Sequence, residues 1–235
     1  MLNLPARFAP IVDYMNQCLQ GATHDAEHVL RVLHYAADIA YYTPGEKDMD
    51  VLVAAAMLHD IGRPAQDRDG SLDHAAVGAE MAYDFLRSIG WSEEKAAHVK
   101  ACIFTHRFRT DHPPASLEAM ILFDSDKLDV TGAMGVARSF SYCTEIGEPH
   151  YTKDANGKIE DGSQSAKPGG HSFFHEYHFK LKDLAAHMHT VRAKEIATEH
   201  KPAMDGFYRL MLDEVHTCYA RGALVLPELL TDEPV

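Results

Sequence analysis

The run Val51-Leu52-Val53-Ala54-Ala55-Ala56-Met57-Leu58 carries no polar side chain and ends on His59-Asp60, with Ile61-Gly62 directly after it. A segment that is apolar all round belongs inside a protein, so the pattern predicts a buried helix over Lys47 to Leu58. Gly62 is placed to end that helix. His59 and Asp60 then occupy its last turn. Neighbouring helical residues point about 100° apart, but a helix terminus relaxes this and lets both side chains converge on one point. A carboxylate buried there without a partner would be costly. A cation is one explanation, and an ion pair with a nearby arginine is the other. Imidazole and carboxylate together suit a divalent transition metal such as manganese, iron or zinc.

The chain of 235 residues, 46% hydrophobic and 24% charged, is long enough for a full core and reads as one domain or one domain with an embellishment. Its formal net charge of -13 argues against binding a nucleic acid polymer or an anionic membrane, both of which reward a basic surface. A small anionic substrate stays compatible, because a metal and a few local arginines can invert the potential inside a cleft. Cys18, Cys102, Cys143 and Cys218 are scattered without a CxxC pair, which suits reduced thiols. No apolar stretch approaches the ~20 residues that span a bilayer. Met1 to Pro10 lacks the basic segment and apolar core of a signal peptide. The expected location is cytoplasmic.

Helical periodicity dominates and strand alternation persists nowhere, so the expected class is all-α. Helices are expected over Phe8 to Leu19, Asp25 to Tyr42 and Lys47 to Leu58, then a polar loop over Arg63 to Gly70. Ser71 can cap a helix to about Ile89, stopped by Gly90, and Ser92-Glu93-Glu94 opens another reaching His106. Pro113-Pro114 starts the helix that leads to Asp126, and Gly132 to about Ile146 is helical again. Residues 147–170, rich in Gly, Lys, Asp and Ser, read as an exposed loop or flap. His175 to Met188 and Val191 to Tyr219 close the chain as helices.

Sixteen histidines are many for this length, and position decides which of them matter. His24, His28, Arg31 and Tyr35 fall at steps of four, three and four, on one helical face beside Val29, Val32, Leu33 and Ala36. Taken singly, each is as well explained as a boundary residue hydrogen-bonded to a loop. A His-Asp dipeptide alone is weak evidence, since His24-Asp25 is another. The segment Asp124-Ser125-Asp126-Lys127-Leu128-Asp129 offers three carboxylates that chemistry alone does not rank.

The order His28, His59-Asp60, Asp126 resembles the HD-domain superfamily of metal-dependent phosphohydrolases. The surrounding text does too: His24 to Val32, Ala54 to Gly62, and Asp124 to Asp129 followed by Thr131-Gly132-Ala133-Met134-Gly135-Val136-Ala137-Arg138. That last stretch is similar to a branch of small bacterial HD hydrolases, some of which hydrolyse nucleoside triphosphates. The likeness is strong over about residues 20–145 and weak beyond.

The resemblance implies an HD-like helical bundle with an N-terminal helix over 1–20, a metal-binding core over 21–145, a flap over 146–172 and C-terminal helices over 173–235. It implies His28, His59, Asp60 and Asp126 as ligands of a divalent ion, manganese, iron, cobalt, nickel or zinc. Asp124 and Asp129 are left as a solvated acidic helix end. His74 and His106 stand where a second metal would bind, or flank the substrate in proton transfer. The branch favours one ion over two. Arg31, Arg63, Arg109 and Lys127 are candidates for phosphate contacts, with Arg107 alongside; Lys127 could instead pair with Asp124.

The expected reaction is attack of a metal-activated water on a small phosphate ester, a nucleotide being one candidate class. The expected partner is that small phosphorylated substrate, with no nucleic acid polymer and no membrane; the sequence specifies no oligomeric state. Two other readings stand: a di-iron oxygenase on the same fold, and a metal- or nucleotide-binding regulatory module without turnover.

Overall fold

The computed structural model describes residues 4–19, 26–108, 112–164 and 170–230. His24, Asp25 and Arg109 lie outside them. Among the described residues the chain is all-α, and its only β-type pairing is an isolated bridge between Lys153 and Ile159. The helices are α1 (Ala9–Leu19), α2 (Ala26–Tyr42), α3 (Met49–Leu58), α4 (Arg63–Arg68), α5 (His74–Ser88), α6 (Glu93–Phe104), α7 (Leu117–Leu128), α8 (Gly132–Glu145), α9 (Phe173–Phe179) and α10 (Val191–Leu229). Two compact units result, one of Met1–Asp129 with His187–Ile196 and one of Val130–Ala186 with Ala197–Val235.

The first unit is built around α3. Val51, Leu52 and Ala54 to Leu58 are buried, and α3 packs against α1, α2, α6 and α7. Three consecutive alanines let those neighbours approach on several sides. Helix α3 begins later than its apolar pattern suggested, because Asp48 caps it: its carboxylate accepts from the N–H of Asp50 at 2.9 Å and Val51 at 3.2 Å. The Asp48 N–H in turn donates to Glu118 Oε1 of α7 at 2.7 Å.

Three local expectations are corrected. Arg63 to Gly70 is not a plain loop: Arg63–Arg68 is helical, since Pro64 sits in the first turn, where no N–H is needed. Helix α5 is capped by Asp73, whose Oδ1 accepts from Ala75 N at 3.1 Å, while Ser71 bonds Asp69 instead. Gly62 does not end α3 by a left-handed turn, for its φ is -82°. Its role is close approach. A Cβ at Gly62 would lie 2.2 Å from the carbonyl oxygen of His74 and 2.6 Å from the N of Gly78. Two glycines therefore press the Asp60–Gly62 corner onto the first turns of α5, which brings His74 beside His59 and Asp60.

The second unit has its own core of Val136, Ile159, Phe173, Phe174, Tyr177, Leu181, Met204 and Tyr208. The rings of Tyr177 and Tyr208 stack at 4.0 Å. Residues 147–164 are joined to this core: Ile159 is buried, and Tyr208 donates to the Asp161 carbonyl at 2.8 Å. Gly162, at φ +80°, sits so close to the Phe174 backbone that a Cβ would fall 2.2 Å from its carbonyl carbon. Beyond α9, Leu181–His187 forms a 3-10 helix where a continuous α-helix was expected.

Candidate metal centre

His28 comes from α2, His59 and Asp60 from the end of α3, His74 from the first residue of α5, His106 from just beyond α6, and Asp126 from α7. Side chains separated by up to 98 positions in the chain thus meet inside the first unit. His28, His59, Asp60, His74 and His106 are each no more than 2% exposed.

Around Asp60 the donors sort into two sets. Its Oδ2 lies 3.6 Å from the Nε2 of both His28 and His59. The two Nε2 atoms are 3.3 Å apart, and Asp126 Oδ1 lies 3.4 Å from His28 Nε2. The second set surrounds Asp60 Oδ1, which lies 3.6 Å from His74 Nε2 and 3.7 Å from His106 Nε2. Donors held about 2.1 Å from one ion lie roughly 3.0–3.4 Å apart in octahedral or tetrahedral arrangements. The first set is close to that spacing, and most of its contacts are long for hydrogen bonds.

Every imidazole is oriented by its other nitrogen. His59 Nδ1–H donates to the Ala56 carbonyl at 2.8 Å and His106 Nδ1–H to the Ile103 carbonyl at 2.6 Å. His74 Nδ1 bonds Gln66 Oε1 at 2.6 Å, and His28 Nδ1 bonds Asp129 Oδ2 at 2.7 Å. Carbonyl and carboxylate oxygens only accept, so the proton sits on Nδ1 and Nε2 faces inward with its lone pair whenever the ring is neutral. His74 Nε2 is buried without a hydrogen-bond partner, an arrangement that costs free energy unless something else engages it. On donor chemistry, spacing and this orphaned nitrogen, the residues fit a divalent transition metal.

The electrostatics agree. Burial works against ionised Asp60, but Arg63, His59 and the adjacent rings of His106 and His28 overcome it and hold its pKa well below the usual carboxylate range. Asp126 is likewise held low against its burial, chiefly by Lys127 and His28. His28, despite burial, is raised to about 10 by the carboxylates of Asp126, Asp129 and Asp60 around it. His59 is pushed down to about 4 by burial, which the nearby Asp60 and Asp126 only partly offset. Burial and the Arg63 charge push His74 down to about 2. The metal-free centre thus holds a proton on His28 and neutral rings at His59 and His74.

Several sequence expectations change in detail. Asp124 and Asp129 are not solvated. Asp124 is fully buried and accepts from His189 N at 2.8 Å, Thr190 N at 2.7 Å and Thr190 Oγ1 at 2.7 Å, anchoring the start of α10. Asp129 orients His28 and is itself gripped by Arg31, Nε to Oδ1 at 2.6 Å and Nη2 to Oδ2 at 3.0 Å. Arg31 therefore meets a carboxylate where a phosphate contact was expected. Lys127 pairs with Asp126 rather than Asp124, and also donates to the His106 carbonyl at 3.1 Å. Arg63 Nε donates to Asp60 Oδ1 at 3.0 Å, and Arg107 Nη1 to Asp73 Oδ1 at 2.7 Å. Gln66 was missed altogether, because the stretch that carries it looked like solvent loop. The i,i+3 spacing of His28 and Arg31 was the available signal for Asp129, since one buried carboxylate serves both.

Comparison with known proteins adds an independent line. The HD domain profile matches residues 25–131, which span all six of these side chains. The uncharacterized protein YpgQ of Bacillus subtilis (strain 168) is 31% identical over 204 residues, covering 83% of this chain and 86% of YpgQ. The solved structure of B. subtilis YpgQ in complex with ADP aligns with a TM-score of 0.65 at 26% identity, covering 87% of this chain and 92% of that one. A predicted HD superfamily hydrolase from an uncultured Thermotogales bacterium aligns at 0.58 and 27% identity, covering 87% and 90%. With this agreement of profile, relative and fold, the chain belongs to the HD-domain superfamily, among its small bacterial members.

Proposed function

We propose that this protein is a metal-dependent phosphohydrolase that cleaves a nucleotide or a similar small phosphate ester. The observation that carries the reading is the convergence of His28, His59, Asp60 and Asp126 with inward Nε2 atoms and two ionised carboxylates, Asp60 buried and Asp126 half-buried. The ADP complex of the related YpgQ supports a nucleotide as the substrate class.

His28, His59, Asp60 and Asp126 would hold the ion, which when bound supplies Lewis acidity toward a water and a phosphoryl oxygen. Four ligands of this kind accept manganese, iron, cobalt, nickel or zinc. One ion is favoured over two. A second ion between His74 and His106 would have to share Asp60 Oδ1 with the Arg63 guanidinium, 3.0 Å away, and two cations on one oxygen repel. The same contact weakens the di-iron oxygenase reading.

The remaining groups then face the substrate. His74, neutral and with Nε2 unpartnered, is a hydrogen-bond acceptor able to orient a water. His106 stands beside it, ring centres 5.3 Å apart. Lys127 and Arg63 place positive charge next to the ligand carboxylates, where a phosphoryl group gathers negative charge in the transition state. Arg109 keeps its sequence-based candidacy for a phosphate contact.

A panel of nucleotides and simple phosphate esters, assayed with each divalent ion, tests the reading. Turnover of at least one phosphate compound is expected, together with loss of both metal and turnover in His59→Ala and Asp60→Ala. Full activity in either variant, or a phosphate panel without turnover, contradicts it; the latter outcome with metal still bound would favour a regulatory module.

A further inference from the structure

Beside the centre lies a group of aromatic and imidazole rings that the reaction does not use. Lys127 Nζ, which bonds the Asp126 carboxylate and the His106 carbonyl, stands 5.1 Å from the centre of the Phe123 ring. Phe123 is buried and lies 6.1 Å from Phe108 between ring centres. His187 meets Phe108 edge-on at 4.9 Å, and His189 meets Phe123 edge-on at 4.9 Å. Phe108 is 45% exposed, and both histidines are exposed as well. A single exposed phenylalanine says nothing by itself. This one follows His106 by two residues, and its ring leads through Phe123 to Lys127, which touches a proposed metal ligand.

We infer that Phe108, supported by Phe123 and flanked by His187 and His189, is a stacking surface for the nucleobase of a nucleotide whose phosphates lie at the metal centre and Lys127. The inference rests on the phosphohydrolase reading for the position of the phosphates and adds the group that recognises the other end of the substrate. A nucleotide joins an anion to a flat π-system through a sugar, and this surface offers the same two features in the same order: an ammonium beside the metal ligands, then a half-exposed ring. Stacking on an aromatic ring tolerates any base. The edge-on imidazoles add hydrogen-bonding nitrogens at the rim without covering Phe108 completely. A simple phosphate ester would have no use for the rings.

Calorimetric titration of the 235-residue chain in the presence of manganese, with ADP and separately with inorganic pyrophosphate, tests this. Phe108→Ala is expected to weaken ADP about ten-fold, or about 1.4 kcal/mol, and to leave pyrophosphate within about two-fold of wild type. Phe108→Trp, which keeps a π-face, restores ADP binding; His187→Ala gives a smaller loss, again for ADP alone. The inference is overturned if ADP binds Phe108→Ala as it binds wild type, if both ligands weaken alike, or if wild type binds ADP no more tightly than pyrophosphate. Those outcomes leave turnover of phosphate compounds untouched. Conversely, ADP-selective loss in a protein that hydrolyses no phosphate compound keeps the stacking surface and removes the hydrolase.

Discussion

Asp129 carries more of the chemistry than its place at a helix end suggests. It fixes the His28 ring through Nδ1 and is fixed in turn by both arms of Arg31. Partners that orient a metal-binding imidazole typically contribute 10- to 100-fold in affinity. Asp129→Asn, which keeps the shape and removes the charge, should therefore weaken manganese binding by about that factor in a chelator competition assay. Unchanged affinity would show that His28 needs no such support. Protonation gives a second expectation. In the metal-free protein His28 titrates at about 10 and is charged at pH 7, yet its inward nitrogen must be bare to bind an ion. Binding at pH 7 should release about one proton, measurable by calorimetry in buffers of different ionisation enthalpy, and affinity should rise with pH up to about 10. Below about 4, protonation of His59 opposes binding further. Affinity that falls as pH rises from 6 to 9 would contradict this sign. The residue types and order of the proposed ligands were legible in the sequence. The side chains that orient the imidazoles were not, because Gln66 and Asp129 meet His74 and His28 only after folding.

Gly62 and Gly78 set how closely the α3–α4 corner meets α5. The hypothetical Cβ at Gly62 runs into backbone at 2.2 Å, whereas at Gly78 the nearest atom is 3.2 Å away. Gly62→Ala should cost about 2–3 kcal/mol in urea denaturation, the upper part of the overpacking range. Gly78→Ala, inside α5, should stay within about 1 kcal/mol of wild type, since a better helix former offsets a mild squeeze. Equal effects would show that the close approach does not hold the corner. At this scale the sequence reading succeeded where one physical term dominates, as for the apolar α3 or the Ser92 cap of α6. It faltered where two terms compete. Pro64 and the polar side chains looked like a break, but a proline in the first turn and a glycine cap sustain a short helix. Asp73 displaced Ser71 as a cap because Ser71 was already bonded to Asp69.

For the whole molecule, a net charge of -13 surrounds a centre that gathers cations. The proposed ligands come from two helices, α2 and α7, and the corner after α3, so an ion bound by them ties together elements that the chain connects only at a distance. Ligand linkage then predicts stabilisation of about 2.7 kcal/mol at an ion concentration 100 times Kd. Manganese should raise Tm by several degrees, EDTA should reverse the rise, and His59→Ala should show no response. The all-α class was legible from periodicity because no segment alternates. The division into two compact units was not, since nothing in local composition separates Asp129 from Val130.

Anomalous diffraction from crystals grown with manganese, recorded at the manganese absorption edge, is the most direct test. One peak is predicted, within about 2.0–2.3 Å of His28 Nε2, His59 Nε2 and carboxylate oxygens of Asp60 and Asp126. A protein that takes up manganese but shows its peak away from these four side chains would contradict the account.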